Sequence, residues 1–133
     1  MGRAKLIELP VNGGSDGVLT VVEGNSTIPF DIKRCFYIYN VMGNSVRGNH
    51  ANRNSEMFMI AVSGSARVRV KDGHNVQEFF LNTPECGLYL PKMTWKEMWD
   101  FSSDCVLLIL ASEHYDKNEY IVDFREFKKE VSK

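Results

Sequence analysis

Residues 57 to 81 constrain the fold more than any other stretch of this chain. Met57 to Val62 is a continuous apolar run closed by Ser63-Gly64-Ser65. Ala66, Val68 and Val70 then alternate with Arg67, Arg69 and Lys71, the period-two pattern of a strand with one dry and one wet face. Asp72-Gly73 follows as a hairpin turn of type I′, whose two central positions both need positive φ, and Val76 to Leu81 supplies the return strand. The segment predicts an antiparallel sheet, with the Arg67, Arg69 and Lys71 strip as the solvated face of an edge strand.

The remainder extends the same pattern. Asn82-Thr83-Pro84 marks another turn, Gly87 to Pro91 a short strand, and the apolar run Cys105 to Ala111 a strand buried on both faces. Gly17 to Val22 and Ile32 to Val41 are further strand segments bounded by Gly-, Asn- and Pro-containing turns. Helical periodicity is clear only near the end, where Phe124, Phe127 and Val131 fall at spacings of three and four among charged residues and predict a short amphipathic helix. The expected fold is all-β: a small antiparallel β-barrel or jelly roll with a short C-terminal helix. With 133 residues and 44% hydrophobic content, one core is affordable and a second is not, so residues 1–133 are read as one domain.

Charge and cysteine usage narrow the function. A net charge of −1 from 16 basic and 17 acidic residues argues against a general nucleic-acid or membrane-surface binder, though it leaves room for a local anion pocket. No signal-like apolar segment stands at the amino end and no run is long enough to span a bilayer, so a cytoplasmic location is expected. Cys35, Cys86 and Cys105 are odd in number, lack CxxC spacing and lie in or beside expected strands, which predicts buried free thiols.

The run Arg47-Gly48-Asn49-His50-Ala51-Asn52-Arg53, with Glu56 and Gly64 beyond it, carries the chemical signal. Residues two apart share a face of a strand, so His50 and Asn52 are expected to point into the barrel mouth and Ala51 away. A metal-binding barrel would present two histidines there, then a glutamate, then a third histidine from a later strand. Here Asn52, a poor ligand for a transition metal, holds the second place, and Pro91 to Trp99 contains no histidine. His74 and His114 have unsuitable spacing. No metal and no other cofactor is expected, and Glu56 is read as a structural hydrogen-bond acceptor.

Several ordered motifs spread over nearly the whole chain resemble the cupin-fold nucleotide-sugar 3,4-ketoisomerases that act on dTDP-4-keto-6-deoxyglucose. They are Ile28-Pro29-Phe30-Asp31-Ile32-Lys33-Arg34, Arg47-Gly48-Asn49-His50-Ala51, Val62-Ser63-Gly64-Ser65, Gly87-Leu88-Tyr89, Trp95-Lys96-Glu97-Met98, Asp100 to Asp104, Leu110-Ala111-Ser112 and Tyr120-Ile121. The resemblance implies a metal-free cytoplasmic homodimer that takes a dTDP-linked sugar and feeds amino-deoxysugar synthesis for surface glycans. Two departures stand out. The family pattern usually reads RGxHAHK, and this chain has Asn52 and Arg53 in the last two places. The segment that often reads WHEM has Lys96 in place of its histidine.

The reaction so implied moves a ketone along the sugar ring through an enediol, which requires a base for the C3 proton. His50, the one histidine left in the matched motif, suits that role because imidazole is neutral near physiological pH. Asn52 is expected to donate its amide to the enediolate oxygen, and Tyr37 to relay the hydroxyl proton. For the substrate's pyrophosphate and base, the candidates are Arg47, whose planar fork matches phosphate, then Arg53, Arg34 and Lys96, with Trp95 as a stacking surface. Two other readings keep the fold: a 3,5-epimerase acting on the same 4-keto sugar, and a non-catalytic sugar-nucleotide-binding module. The amino-terminal strands from Ala4 to Val22 have few obvious partners within one small barrel, so their exchange in a homodimer is expected.

Overall fold

The stretch between residues 57 and 81 becomes one hairpin, Ala66–Lys71 paired with Val76–Leu81 in one sheet, preceded by Met57–Ser63, which belongs to the other sheet. The structure is a computed structural model and describes residues 3–133. Among the described residues twelve strands run in chain order: β1 (Lys5–Glu8), β2 (Val11–Gly14), β3 (Gly17–Thr20), β4 (Arg34–Tyr39), β5 (Arg47–Asn52), β6 (Met57–Ser63), β7 (Ala66–Lys71), β8 (Val76–Leu81), β9 (Cys86–Leu90), β10 (Trp95–Trp99), β11 (Val106–Ala111) and β12 (Tyr120–Ile121). A 3₁₀ turn (Lys117–Glu119) precedes β12, and helix α1 (Phe124–Val131) follows it. One five-stranded sheet has the order β1-β9-β6-β11-β4 and the other β12-β5-β10-β7-β8, with antiparallel pairing throughout. Among the described residues no helix is long and apolar enough to cross a membrane.

Period-two alternation sorts the apolar residues into an interior and two outer layers. Met57, Met59, Leu107 and Ile109 from the first sheet meet Val68, Val70, Leu81 and Met98 from the second, and this cluster is the core between the sheets. The other face of β6 and β11, with Phe58, Ile60 and Leu110, is covered by Leu9, Ile28 and Phe30 from the amino-terminal third. That is why β11 is apolar on both faces. On the outer face of the second sheet, Ala51, Trp95 and Ile121 are closed by Phe127 of α1. The helix begins at Asp123, whose carboxylate accepts from the Arg125 amide at 2.8 Å as an N-cap.

Three expectations are corrected. The basic strip lies on β7, which is paired on both sides by β10 and β8, so it is the solvated face of an internal strand. Ion pairs Arg67–Asp100, Arg69–Glu78 and Lys71–Glu97, at 2.9, 3.0 and 3.2 Å, neutralise it. Cys35 is exposed on the outer face of β4, Cys86 is half-buried, and only Cys105 is buried. The amino-terminal strands are not all without partners: β1 pairs with β9 at the edge of the first sheet, and only β2 and β3 form a separate hairpin.

Candidate active site

The motif on β5 works through a local irregularity. Lys96 stands opposite His50, yet Glu97 stands opposite Gly48 and Met98 opposite Arg47, so β5 carries one extra residue, Asn49. Gly48 and Asn49 adopt φ angles of 89° and 57°, in the left-handed region that makes such a β-bulge. The bulge resets the alternation. Arg47 and His50, three apart, both turn toward the interior, where a regular strand would put them on opposite faces.

They open onto a cavity of about 220 Å³ between β4 and β5. Arg47, His50, Lys96 and Tyr120 give it a polar wall, and Met57, Met59, Met98 and Ile109 an apolar floor. A larger cavity of about 380 Å³, against Asp72, His74, Lys92 and Val131, gathers none of the motif residues. Among the described residues no three His, Cys, Asp or Glu side chains are grouped to hold a metal ion.

His50 is half-buried, with Nδ1 3.0 Å from the Gly48 carbonyl oxygen. A carbonyl can only accept, so this contact assigns the proton to Nδ1 and leaves the Nε2 lone pair free. The Tyr120 ring packs 4.8 Å from the imidazole, centroid to centroid. Burial, then the neighbouring Lys96 charge, lowers the His50 pKa to about 4, against a weaker upward pull from the Gly48 bond and Glu119. The imidazole is therefore neutral at physiological pH.

Lys96 is buried, and its Nζ donates to Asn52 Oδ1 at 2.8 Å. Burial pushes its pKa down to about 7; Glu119 opposes that shift and Arg34 adds to it. Glu119 is itself buried and accepts from the Asn54 amide at 2.8 Å, the Ser55 amide at 2.9 Å and the Ser55 hydroxyl. Burial alone would raise its pKa, but these donors outweigh it and hold the carboxyl below its usual range. Arg34 lies 4.9 Å over the Phe36 ring and 5.7 Å from that of Tyr115, donates Nε to the Glu113 carbonyl at 3.3 Å, and keeps a buried Nη2 without a partner.

The structure thus brings together Arg47, His50 and Lys96, with Tyr37 at the cavity rim and Asn52 and Arg34 behind, and sends Arg53 and Trp95 elsewhere. Asn52 does not border the cavity; it sits behind Lys96, its Nδ2 buried and unpartnered, so it is placed to hold the lysine rather than to donate to substrate. Tyr37 alternates with the inward Phe36 and Ile38; it reaches the cavity rim but is 61% exposed, its ring 6.0 Å from that of Tyr39 on the outer face. Arg53 is engaged by α1, bonded to Glu130 at 2.7 Å and Glu126 at 3.4 Å. Trp95, adjacent to Lys96 but on the opposite face of β10, is buried against Phe124 and Phe127 and donates Nε1 to Glu97 at 3.0 Å. Glu56 is an acceptor as expected, receiving the Tyr89 hydroxyl at 2.6 Å.

Two residues of the cluster were not singled out as site residues by their sequence. Tyr120 lies in a two-residue strand too short for periodicity to reveal, and Glu119 makes its bonds to partners more than sixty residues away.

Two facing antiparallel sheets with a polar-walled cavity opening between their strands define a cupin. The same fold is seen in dTDP-4-dehydrorhamnose 3,5-epimerase from Bacillus anthracis, at a TM-score of 0.77 and 15% identity over 88% of this chain and 76% of that one. A family model described as FdtA: WxcM-like, C-terminal matches residues 2–132, and the chain belongs to that family. It is 44% identical to TDP-4-oxo-6-deoxy-alpha-D-glucose-3,4-oxoisomerase of Aneurinibacillus thermoaerophilus, over 90% of this chain and 86% of the relative. Among solved structures it is similar to WlaRA, a TDP-fucose-3,4-ketoisomerase from Campylobacter jejuni, with 40% identity and a TM-score of 0.92 over 96% and 95% of the two chains. It is also similar to QdtA, a sugar 3,4-ketoisomerase from Thermoanaerobacterium thermosaccharolyticum in complex with TDP, with 38% identity and a TM-score of 0.94 over 98% and 95%.

Proposed function

We propose that this protein is a 3,4-ketoisomerase that converts TDP-4-keto-6-deoxyglucose to the 3-keto isomer, with His50 as the base. The observation that carries the reading, beside family membership, is a neutral imidazole at the cavity wall whose Nδ1 proton is fixed on Gly48, leaving Nε2 to accept. The C3 proton is acidified by the adjacent C4 carbonyl. Its removal gives an enediolate, and return of the proton to C4 completes the shift. Among the described residues His50 is the only histidine on the cavity wall. One base serving both carbons works on one face of the ring, so C4 receives its hydrogen on the face from which C3 lost one, which gives the galacto configuration.

Proton NMR of TDP-4-keto-6-deoxyglucose incubated with the protein in D₂O tests this. The expected product is a galacto-configured 3-ketosugar with deuterium at C4 in proportion to exchange on the base. Label at C3 and C5 with the 4-ketone retained would mean an epimerase, and tight TDP binding without exchange a binding module.

Arg47 is the candidate for the pyrophosphate, being exposed at the cavity mouth and in no ion pair among the described residues. Its replacement by glutamine is expected to weaken TDP binding by about 10- to 100-fold, since charge-assisted bonds contribute about 1.5–3 kcal/mol. Calorimetric titration showing equal affinity would remove Arg47 from the site. Arg34 keeps a secondary place through its unpartnered Nη2.

The β2–β3 hairpin leaves Val11, Val18 and Leu19 exposed, and β4 does the same with Tyr37 and Tyr39. Such surface favours a homodimer in which these residues are covered by a second copy. Sedimentation at micromolar concentration is expected to give a dimer; a monodisperse monomer would oppose it. Three unpaired thiols fit the reducing cytoplasm as its compartment.

A further inference from the structure

We infer that Lys96, held by Asn52, carries the hydroxyl proton between the two substrate oxygens while His50 carries the carbon-bound one. The inference rests on the ketoisomerase reading and adds to it the residue that handles oxygen.

The geometry supports it in three ways. Lys96 and His50 are direct partners across β5 and β10 and share the cavity wall, so each faces the space that the other faces. The Lys96 ammonium is buried without a carboxylate in ion-pairing distance among the described residues; its hydrogen bond goes to the neutral Asn52. A lysine kept for structure would ordinarily be paired, because an unpaired buried charge is costly. An ammonium also has three donors. One is used by Asn52, which leaves two for a vicinal pair of oxygens.

The charged and titratable groups around Lys96 are Arg47 and His50 on β5, Arg34 and Tyr37 on β4, Glu119 in the 3₁₀ turn and Tyr120 on β12; its partner on β7 is the uncharged Val70, and Glu97 points to the outer face toward Arg69 and Lys71. Burial, the largest influence, brings the Lys96 pKa down to about 7. Its charged and neutral forms are then both accessible near physiological pH, as a group that gives and retakes a proton requires.

The steps balance. In the first, His50 Nε2 takes the proton from C3, the C3–H pair becomes the C3–C4 double bond, and the carbonyl pair moves onto O4, which takes a proton from Lys96. In the second, neutral Lys96 takes the proton of the O3 hydroxyl, the O3–H pair forms the C3 carbonyl, and the double-bond pair takes the proton from His50 at C4. Both side chains end as they began. The total charge of the site is constant, and positive charge leaves Lys96 as it arrives on His50. The Coulomb repulsion that adds to burial in depressing the His50 pKa is thus relieved during proton abstraction.

The test compares wild type, Lys96→Met, Lys96→Arg and Asn52→Ala for turnover of TDP-4-keto-6-deoxyglucose, TDP affinity and the pH dependence of kcat/KM. Wild-type kcat/KM is expected to fall as pH rises through about 7, because protonated Lys96 is the reactant form. Lys96→Met and Lys96→Arg are each expected to lose about 100-fold or more in kcat and the alkaline limb near 7, with TDP affinity within about threefold. Arginine keeps the positive charge but does not release a proton, so it rescues a fixed cation and not a shuttle. Asn52→Ala removes the acceptor that favours the ammonium and is expected to move the alkaline limb to lower pH. Near wild-type turnover in Lys96→Arg, or an alkaline limb unchanged in either lysine variant, would overturn the shuttle. An unmoved limb in Asn52→Ala would overturn its positioning role. No product from wild type would instead sink the ketoisomerase reading.

Discussion

Replacement of His50 by glutamine is expected to lower kcat by about 10²–10⁴-fold, the range that a positioned general base supplies, while TDP affinity holds within about twofold. Glutamine retains an amide that can donate to the Gly48 carbonyl, so the bulge keeps its side-chain contact. What is lost is a basic nitrogen. A second readout separates the chemical role from a structural one. The folded pKa of about 4 lies below the usual 6.5, so between those values the unfolded chain binds more protons than the folded one. Stability attributable to His50 therefore rises with pH across that window and is lost as pH falls from 6.5 toward 4. Glutamine does not titrate, and the drop in Tm between pH 7 and pH 5 is expected to shrink in the variant. Turnover within tenfold of wild type would rule out His50 as the base; an unchanged pH dependence of Tm would contradict its depressed pKa.

The fold was legible where one physical cause dominated each position. Alternation at Ala66 to Lys71 gave β7 and its hairpin partner, and the spacing of Phe124, Phe127 and Val131 gave α1. The turn between the two strands is not type I′: Lys71 pairs with Val76, leaving a loop from Asp72 to Asn75 in which Gly73 and not Asp72 has positive φ. The site was legible only in part, because period-two reasoning assumes a regular strand. His50 and Asn52 do share a face, but which of them meets the cavity depends on Lys96 of β10 filling the space in front of Asn52. Arg53 offers a guanidinium fork, as Arg47 does; the difference is that two glutamates of α1, more than seventy residues on, occupy it. Trp95 is one residue from Lys96, and the pleat sends it under the helix. In each case the deciding contact is long-range and leaves no local signal. The substitutions at 52 and 96 show the same limit. Read separately they look like two lost histidines; in the structure they are donor and acceptor of one hydrogen bond.

That dependence on register makes Gly48 the position outside the reacting groups where a single methyl group is expected to do most harm. A Cβ at Gly48 would lie 2.8 Å from the Lys96 carbonyl oxygen and 3.1 Å from Met98 Cε, and φ of 89° disfavours any L side chain. The Met98 methyl can yield, but the carbonyl is backbone in the strand that carries Lys96. Gly48→Ala must therefore push β5 from β10 or abandon the bulge, and either change moves Arg47, His50 and Lys96 relative to one another. Displacement of the order of 1 Å at a reacting group costs about 100-fold, so kcat is expected to fall by about that factor. Loss of stability is expected to be smaller, about 1–3 kcal/mol, leaving a domain of ordinary stability folded at 25 °C. The alkaline limb of the pH profile is expected to move as well, since Lys96 would lose its alignment with Asn52. Wild-type turnover in a Gly48→Ala variant would mean that the bulge does not set the site, and that Arg47 and His50 reach the cavity independently of it.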